Sequence, residues 1–249
     1  MNPDESARDL LLEITHCPNV VSWFQNRIQN HPCRRIIESQ GSSSIDGFQV
    51  PEPWSGRLLE APLLFLSSNP SIGERDEYPS KSWRDQEVEA YFNRRFEQSI
   101  ADGVRTRQQD GSYSPTVRFW SEVRCRAAEL YERAVEPGRD YALTEIVHCK
   151  SRRNEGVKQA LSECADRYLS RVLFHSHAKV IVCLGVLVRR ILTEKFRIPS
   201  SVRVYGPADI FGKTRHLVFS AQPNSNQPRR FTVTLLDEEL TELRGVLRL

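Results

Sequence analysis

Residues 63–73 read LLFLSSNPSIG. Four apolar side chains, Leu63, Leu64, Phe65 and Leu66, follow one another without a polar break and then meet Ser67, Ser68, Asn69, Pro70 and Ser71. A strand with one wet face alternates apolar and polar residues. An unbroken apolar run bounded by turn residues belongs to a strand covered on both faces, as in a parallel sheet. Pro70 brings no N–H to a sheet ladder, so the strand ends there, and Asn-Pro followed by Gly73 is turn chemistry. The stretch therefore predicts a buried strand that delivers Asn69 to the carboxyl edge of a parallel sheet.

The same pattern recurs three times, at 141–148 (YALTEIVH), 179–184 (KVIVCL) and 216–221 (HLVFSA). Segments of helical periodicity lie between and around these runs. They cover 86–100 (with Val88, Tyr91, Phe92 and Phe96 on one face), 117–135, 158–174, 186–196 and 237–249. Near the start, 4–14 and 18–30 also repeat at helical spacing, and a polar stretch, ESQGSSSIDG, separates them from the first strand. Strands alternating with helices predict an α/β fold. The expectation is a three-layer α/β/α sandwich around a central four-stranded, mostly parallel sheet. It forms a single domain over 1–249, with 1–50 as a helical N-terminal extension.

The chain has 249 residues, 39% hydrophobic and 27% charged, which suits a globular protein with a sizeable core. No apolar run approaches the roughly 20 residues of a membrane span. The first residues, MNPDESARDLLLEITHC, lack the basic start and apolar centre of a signal peptide, so a cytoplasmic, monomeric protein is expected. A net charge of +3 does not by itself indicate nucleic acid; local groups of cations (Lys150, Arg152 and Arg153; Arg189 and Arg190; Arg229 and Arg230) say more, although each taken alone is an ordinary solvated face.

In parallel sheets ligands bind beyond the carboxyl ends of the strands. Those ends carry Ser-Asn69-Pro70-Ser71, then His148-Cys149-Lys150-Ser-Arg152-Arg153-Asn154, then Gly185, then Gln222-Pro223-Asn224-Ser-Asn226-Gln227-Pro228-Arg229-Arg230. Three of the four are polar and two are basic. A cleft that takes a nucleotide from a phosphate chain has this character.

In this order and spacing, LLFLSSNPS, LTEIVHCKS, AKVIVCLG and LVFSAQPNSNQPRR resemble the uracil-DNA glycosylase superfamily over about 63–231. The resemblance implies a DNA partner and a role for each motif. Asn69 would orient the water that attacks the sugar C1′. The loop from Gln222 to Arg230 would enter the minor groove and help expel the base, with Gln222, Asn224 and backbone N–H groups stabilising the departing base. Most of the superfamily carries His-Pro-Ser in that loop; this chain reads Gln222-Pro223-Asn224, so a histidine acid is missing. Lys150, Arg152, Arg153, Asn226, Arg229 and Arg230 would contact DNA. An amide is a poor base, so placement and electrostatics would carry the chemistry, and the base must be flipped out of the duplex.

Two departures bear on substrate. Where uracil-reading relatives have an Asn on the second strand, this chain has Glu145. An ionised carboxylate only accepts hydrogen bonds, which suits the N4 amino group of cytosine. Where the uracil-strict branch has a Tyr that blocks a 5-methyl group, this chain has the small Ser71. Together they favour a cytosine substituted at C5. Some members of the superfamily remove glucosylated 5-hydroxymethylcytosine in anti-phage defence, and the resemblance implies such a role as one expectation for this chain. Tyr78 and Trp83 are candidate base-stacking aromatics, with packing as the alternative for each. No lysine is placed by the resemblance as a Schiff-base nucleophile, so the expected product is an abasic site without strand cleavage.

Cys149 and Cys164 resemble one half of the [4Fe–4S] site of the iron–sulfur branches. Those branches add a close N-terminal pair, whereas here Cys17 and Cys33 stand far apart in sequence. The four either hold a structural cluster or are separate thiols; the chemistry itself requires no cofactor. Cys183 and Cys125 read as structural, and His148, His175 and His177 lack metal-ligand spacing. Two other functions remain open: a uracil-DNA glycosylase of base-excision repair, and a non-catalytic nucleic-acid-binding module.

Overall fold

A computed structural model describes residues 6–27, 29–227 and 230–248. Helices α1 (Ala7–Thr15), α2 (Pro18–Asn26) and α3 (Arg34–Glu38) precede strand β1 (Leu63–Ser67). Helices α4 (Asp85–Asn93) and α5 (Arg95–Gln98) lead into a small antiparallel ribbon of β2 (Ile100–Ala101) and β3 (Arg105–Thr106). Helix α6 (Arg118–Tyr131), strand β4 (Tyr141–Glu145), helices α7 (Val157–Cys164) and α8 (Ser170–His175), strand β5 (Val180–Leu184) and helix α9 (Val186–Phe196) follow. Strands β6 (Val204–Asp209) and β7 (Thr214–Ser220) and helices α10 (Phe231–Thr234) and α11 (Asp237–Arg248) complete the fold.

The central sheet has five strands in the order β4-β1-β5-β7-β6. Four are parallel, and β6 runs antiparallel along the outer edge of β7. The four expected strands are the four parallel ones. The fifth corrects the sequence-based strand count, and its chemistry explains why it was missed. It reads VYGPAD, is only partly buried, and shifts register between Tyr205 and Ala208, where Gly206 and Pro207 interrupt pairing. An edge strand tolerates such a break because one side of its ladder is open.

Alternate residues of each buried strand feed two cores. Leu64, Leu66, Ala142, Ile181, Cys183 and Leu217 face α1 to α4 and α7 to α9. Leu63, Phe65, Tyr141, Leu143, Val180, Val182 and Val218 face α6, α10 and α11. Burying each such side chain contributes about 1.5–3 kcal/mol, and doing so on both faces is what an unbroken apolar strand requires. The expected helix at 158–174 is interrupted by a π-helical turn, Ala165–Leu169, directly after Cys164. Among the described residues no helix is long and apolar enough to cross a membrane.

The fold positions a site through the pairing of β1 with β4. Ser67 stands opposite Glu145, and beyond the strands the Ile146 and Val147 N–H groups donate to the Ser67 and Ser68 carbonyls at 2.9 Å. The two chains thus leave the sheet side by side, carrying Asn69 and Glu145 to the same edge.

Candidate active site

A cavity of about 420 Å³ opens at this edge. Its wall includes Ser68, Asn69 and Ser71 from the turn after β1, Glu145 and Lys150 from β4 and its exit, and Gln222 and Asn224 from the loop after β7. Three of the four parallel strand ends therefore contribute.

Asn69 is held on both ends of its amide. Its Oδ1 accepts from the Ser68 hydroxyl at 3.1 Å, and its Nδ2 donates to the Pro70 carbonyl at 3.1 Å and to Ser151 Oγ at 3.0 Å. Ser151 is itself fixed by its N–H, which donates to the Pro70 carbonyl at 3.1 Å. Ser151 was not foreseen in sequence, because nothing local distinguishes it from the serines of any turn.

Gln222 is pressed against Gly185. A side chain at position 185 would stand 2.7 Å from Gln222 Cγ, and the Gly185 φ of +87° independently favours glycine. Gln222 Oε1 is buried without a hydrogen-bond partner. Asn224 is exposed at the rim.

The floor is charged, which sequence reading missed. Glu52, Arg95 and Asp76 join Glu145 and Lys150 in lining the cavity. Arg95 pairs with Glu52 and donates to Ser55 Oγ at 2.8 Å. Glu52 also accepts from Ser55 Oγ at 2.8 Å and from the Tyr78 hydroxyl at 3.2 Å. Burial opposes ionisation of Glu52, but Arg95 and then Lys150 hold its carboxyl below the usual range. Glu145 has the opposite balance. Burial, reinforced by the negative charge of Glu52, pushes its carboxyl well up, against weaker effects of Arg95, Lys150 and a hydrogen bond with Ser67. Glu145 is therefore pushed toward its neutral form, away from the ordinary ionised carboxylate expected from sequence. Burial of Lys150 lowers its ammonium to about 8.

Several expected contacts fall elsewhere. Tyr78 is not in the cavity wall; it lies beneath, hydrogen-bonded to Glu52, with Lys150 Nζ 3.6 Å from its ring centroid. Trp83 packs edge-on against Tyr91 at 5.7 Å, also away from the wall. The aromatic wall is Phe119 and Trp120 at the start of α6, edge-to-face at 5.5 Å. An aromatic pair opening a helix just after a long loop was the available signal. Lys150, expected at a DNA phosphate, is 1% exposed and belongs to the floor. Arg152 is engaged within the protein, pairing with Glu74 and donating to the Ser39 carbonyl at 3.1 Å. Arg153, Asn226 and Arg230 are exposed, and Arg229 lies outside the described residues.

The four cysteines named from sequence are buried and lie near one another. Cys17 and Cys33 occupy the N-terminal caps of α2 and α3, Cys149 follows β4, and Cys164 ends α7. All are free thiols. Cys33 and Cys164 hydrogen-bond each other, lowering the first thiol and raising the second. Burial raises Cys149, and nearby Cys17 and Cys33 raise it further. Backbone N–H groups of Val20 and Asn19 point to Cys17 sulfur, the Tyr168 hydroxyl donates to it at 3.4 Å, and Asn19 Nδ2 donates to Cys33 sulfur at 3.8 Å. Among the described residues no three His, Cys, Asp or Glu side chains converge as ligands of a single metal ion. Four thiols thus lie near one another, and N–H groups point to the sulfurs of Cys17 and Cys33.

No protein-family model matches the chain, and no curated protein is significantly similar to it.

Proposed function

We propose that this protein is a monofunctional DNA glycosylase that flips a base into the cavity and hydrolyses its N-glycosidic bond, leaving an abasic site. One observation carries the reading: Asn69, with its amide fixed by Ser68 and Ser151, borders the same cavity as Glu145 and Gln222. Asn69 would hold water against C1′. Glu145 would read the base edge, Phe119 would lie against the base face, and Gln222 would turn its amide toward the charge that develops on the leaving base. Exposed Arg153, Arg230, Asn224 and Asn226 would meet the strand outside, together with Arg229.

A C5-modified cytosine, such as glucosylated 5-hydroxymethylcytosine of phage DNA, is the favoured base. Support comes from size. About 420 Å³ falls in the range of roughly 300–1,000 Å³ typical of ligand pockets, more than a bare pyrimidine fills, and Ser71 leaves room at its side. Glu145 contributes less to this choice than an ionised carboxylate would. A neutral acid offers one donor and one acceptor, matching N3 and N4–H of cytosine and equally N3–H and O4 of uracil. Uracil excision in repair is thus the second reading.

Lys150 lines the cavity, but its ammonium rests on Tyr78 and balances Glu52; hydrolysis without strand cleavage remains the proposal. We infer as well that Cys17, Cys33, Cys149 and Cys164 hold a structural [4Fe–4S] cluster, which fixes the backbone around Cys149 and takes no part in the reaction.

The test is mass spectrometry of bases released from oligonucleotides carrying uracil, 5-hydroxymethylcytosine or its glucosylated form, with borohydride present in a parallel arm. Release of the glucosylated base with no trapped adduct is expected, and Asn69→Ala should slow it about 10²–10³-fold. Release of uracil alone favours the repair reading. A borohydride-trapped adduct sinks the monofunctional assignment, and unchanged activity in Asn69→Ala sinks the site.

A further inference from the structure

We infer that Glu145 is the general acid of base release, giving its proton to N3 of the flipped cytosine as the glycosidic bond breaks. This rests on the glycosylase reading and adds a step to it. The loop after β7 carries no histidine to supply a proton, and an amide at Asn69 or Gln222 cannot donate one by ionising.

Glu145 is 4% exposed, at the end of a strand paired on β1, and its Oε2 is buried with no hydrogen-bond partner while the residue forms part of the cavity wall. An orphaned polar atom in a native interior calls for a partner that arrives later. The groups facing it come from every side of the floor. Ser67 of β1 hydrogen-bonds it; Glu52 from the approach to β1, Arg95 of α5 and Lys150 beyond β4 act on it through their charges; and Tyr78 is close enough for its hydroxyl to sense the carboxyl. Two carboxyls in one floor, one drawn toward ionisation by cations and one pushed toward its neutral form beside it, give the contrast from which acid and base roles arise.

The step balances. The C1′–N1 bond breaks and its electron pair stays with the base. The Glu145 O–H bond breaks and N3–H forms, so the base leaves neutral rather than as an anion. The water held by Asn69 adds its oxygen to C1′ and loses its extra proton to solvent, and Glu145 is reprotonated from solvent. While Glu145 is a carboxylate, Arg95 and Lys150 stand near enough to stabilise it. Its other oxygen accepts from the N4 amino group, which aligns N3 with the acid.

The test uses the full chain, single-turnover base release from the same oligonucleotides, and the variant Glu145→Gln, which keeps the shape and the donor–acceptor edge but has no acid. Loss of a general acid should lower the maximal rate about 10²–10⁴-fold. Affinity for DNA bearing a non-hydrolysable 2′-fluoro nucleotide should change by less than about threefold. The wild-type rate should fall at high pH, and the Glu145→Gln rate should lose that descending limb. A maximal rate for Glu145→Gln within about threefold of wild type, or an unchanged high-pH limb, overturns the assignment. If Glu145→Gln does not fold, Glu145→Asp takes its place: a slower enzyme that keeps the descending limb supports the acid, and loss of the limb overturns it. A wild-type protein that releases no base from any oligonucleotide overturns the glycosylase reading, and this inference with it.

Discussion

At the scale of single residues, Glu145 differs most from what its letter suggests. Its protonation has a consequence for stability that needs no substrate. Burial raises its folded-state value above the ordinary 4.5, so the stabilisation from its neutral form is complete below about that pH. As pH rises further, the unfolded chain sheds a proton that the folded chain keeps, and stability falls by up to about 1.4 kcal/mol per unit until the folded value is passed. The unfolding free energy of wild type minus that of Glu145→Gln should therefore decline as the pH rises above about 4.5 in denaturant melts. A difference independent of pH would mean an ordinary, ionised carboxylate. Asn69 was legible from sequence because a turn after an apolar strand has few places to go. The state of Glu145 was not, since it depends on Glu52 and Arg95, distant in sequence and joined to it only by folding. Arg95 sits among ordinary helix residues, NRRF, where a cation normally faces water.

At the scale of elements, the parallel strands were readable because both faces are buried and the apolar runs are unbroken. Strand β6 was not, because a half-exposed edge strand broken by Gly206 and Pro207 leaves no such run. The convergence of the cysteines was partly legible. The Cys149 and Cys164 pair had a recognisable spacing, but bringing Cys33 to them depends on α3 lying against the start of α7. Gly156 permits that approach. Its φ is +76°, and a Cβ there would stand 2.2 Å from the Ile36 backbone nitrogen. Gly156→Ala should therefore push α3 away from α7, separating Cys33 from Cys164. A loss of about 1–3 kcal/mol is expected in thermal or denaturant unfolding. Iron and acid-labile sulfide should copurify with the wild type in stoichiometric amounts and drop in the variant. Wild-type protein free of iron after anaerobic purification would return the four thiols to ordinary packing.

At the scale of the whole molecule, a net charge of +3 is small for a protein that would, on the glycosylase reading, hold a polyanion. Binding must then rely on a few cations placed at the rim rather than on a general field. Each phosphate neutralised contributes about −0.9 to the slope of log affinity against log salt. Arg153→Ala and Arg230→Ala should each make that slope shallower by about 0.9 in titrations of duplex DNA, with maximal base release unchanged. An unaltered slope in both would remove these arginines from the footprint. The division of the cavity between scaffold and insertion has a different import. Asn69, Glu145 and Gln222 ride on sheet ends, whereas Thr106, Ser114 and Val117 reach the same space from the ribbon and loop between α5 and α6. Selection can rewrite that segment without disturbing the sheet. On the glycosylase reading, an attacker that keeps changing the decoration on its DNA would be followed by a defender that changes only this part, the residues at the sheet ends being kept.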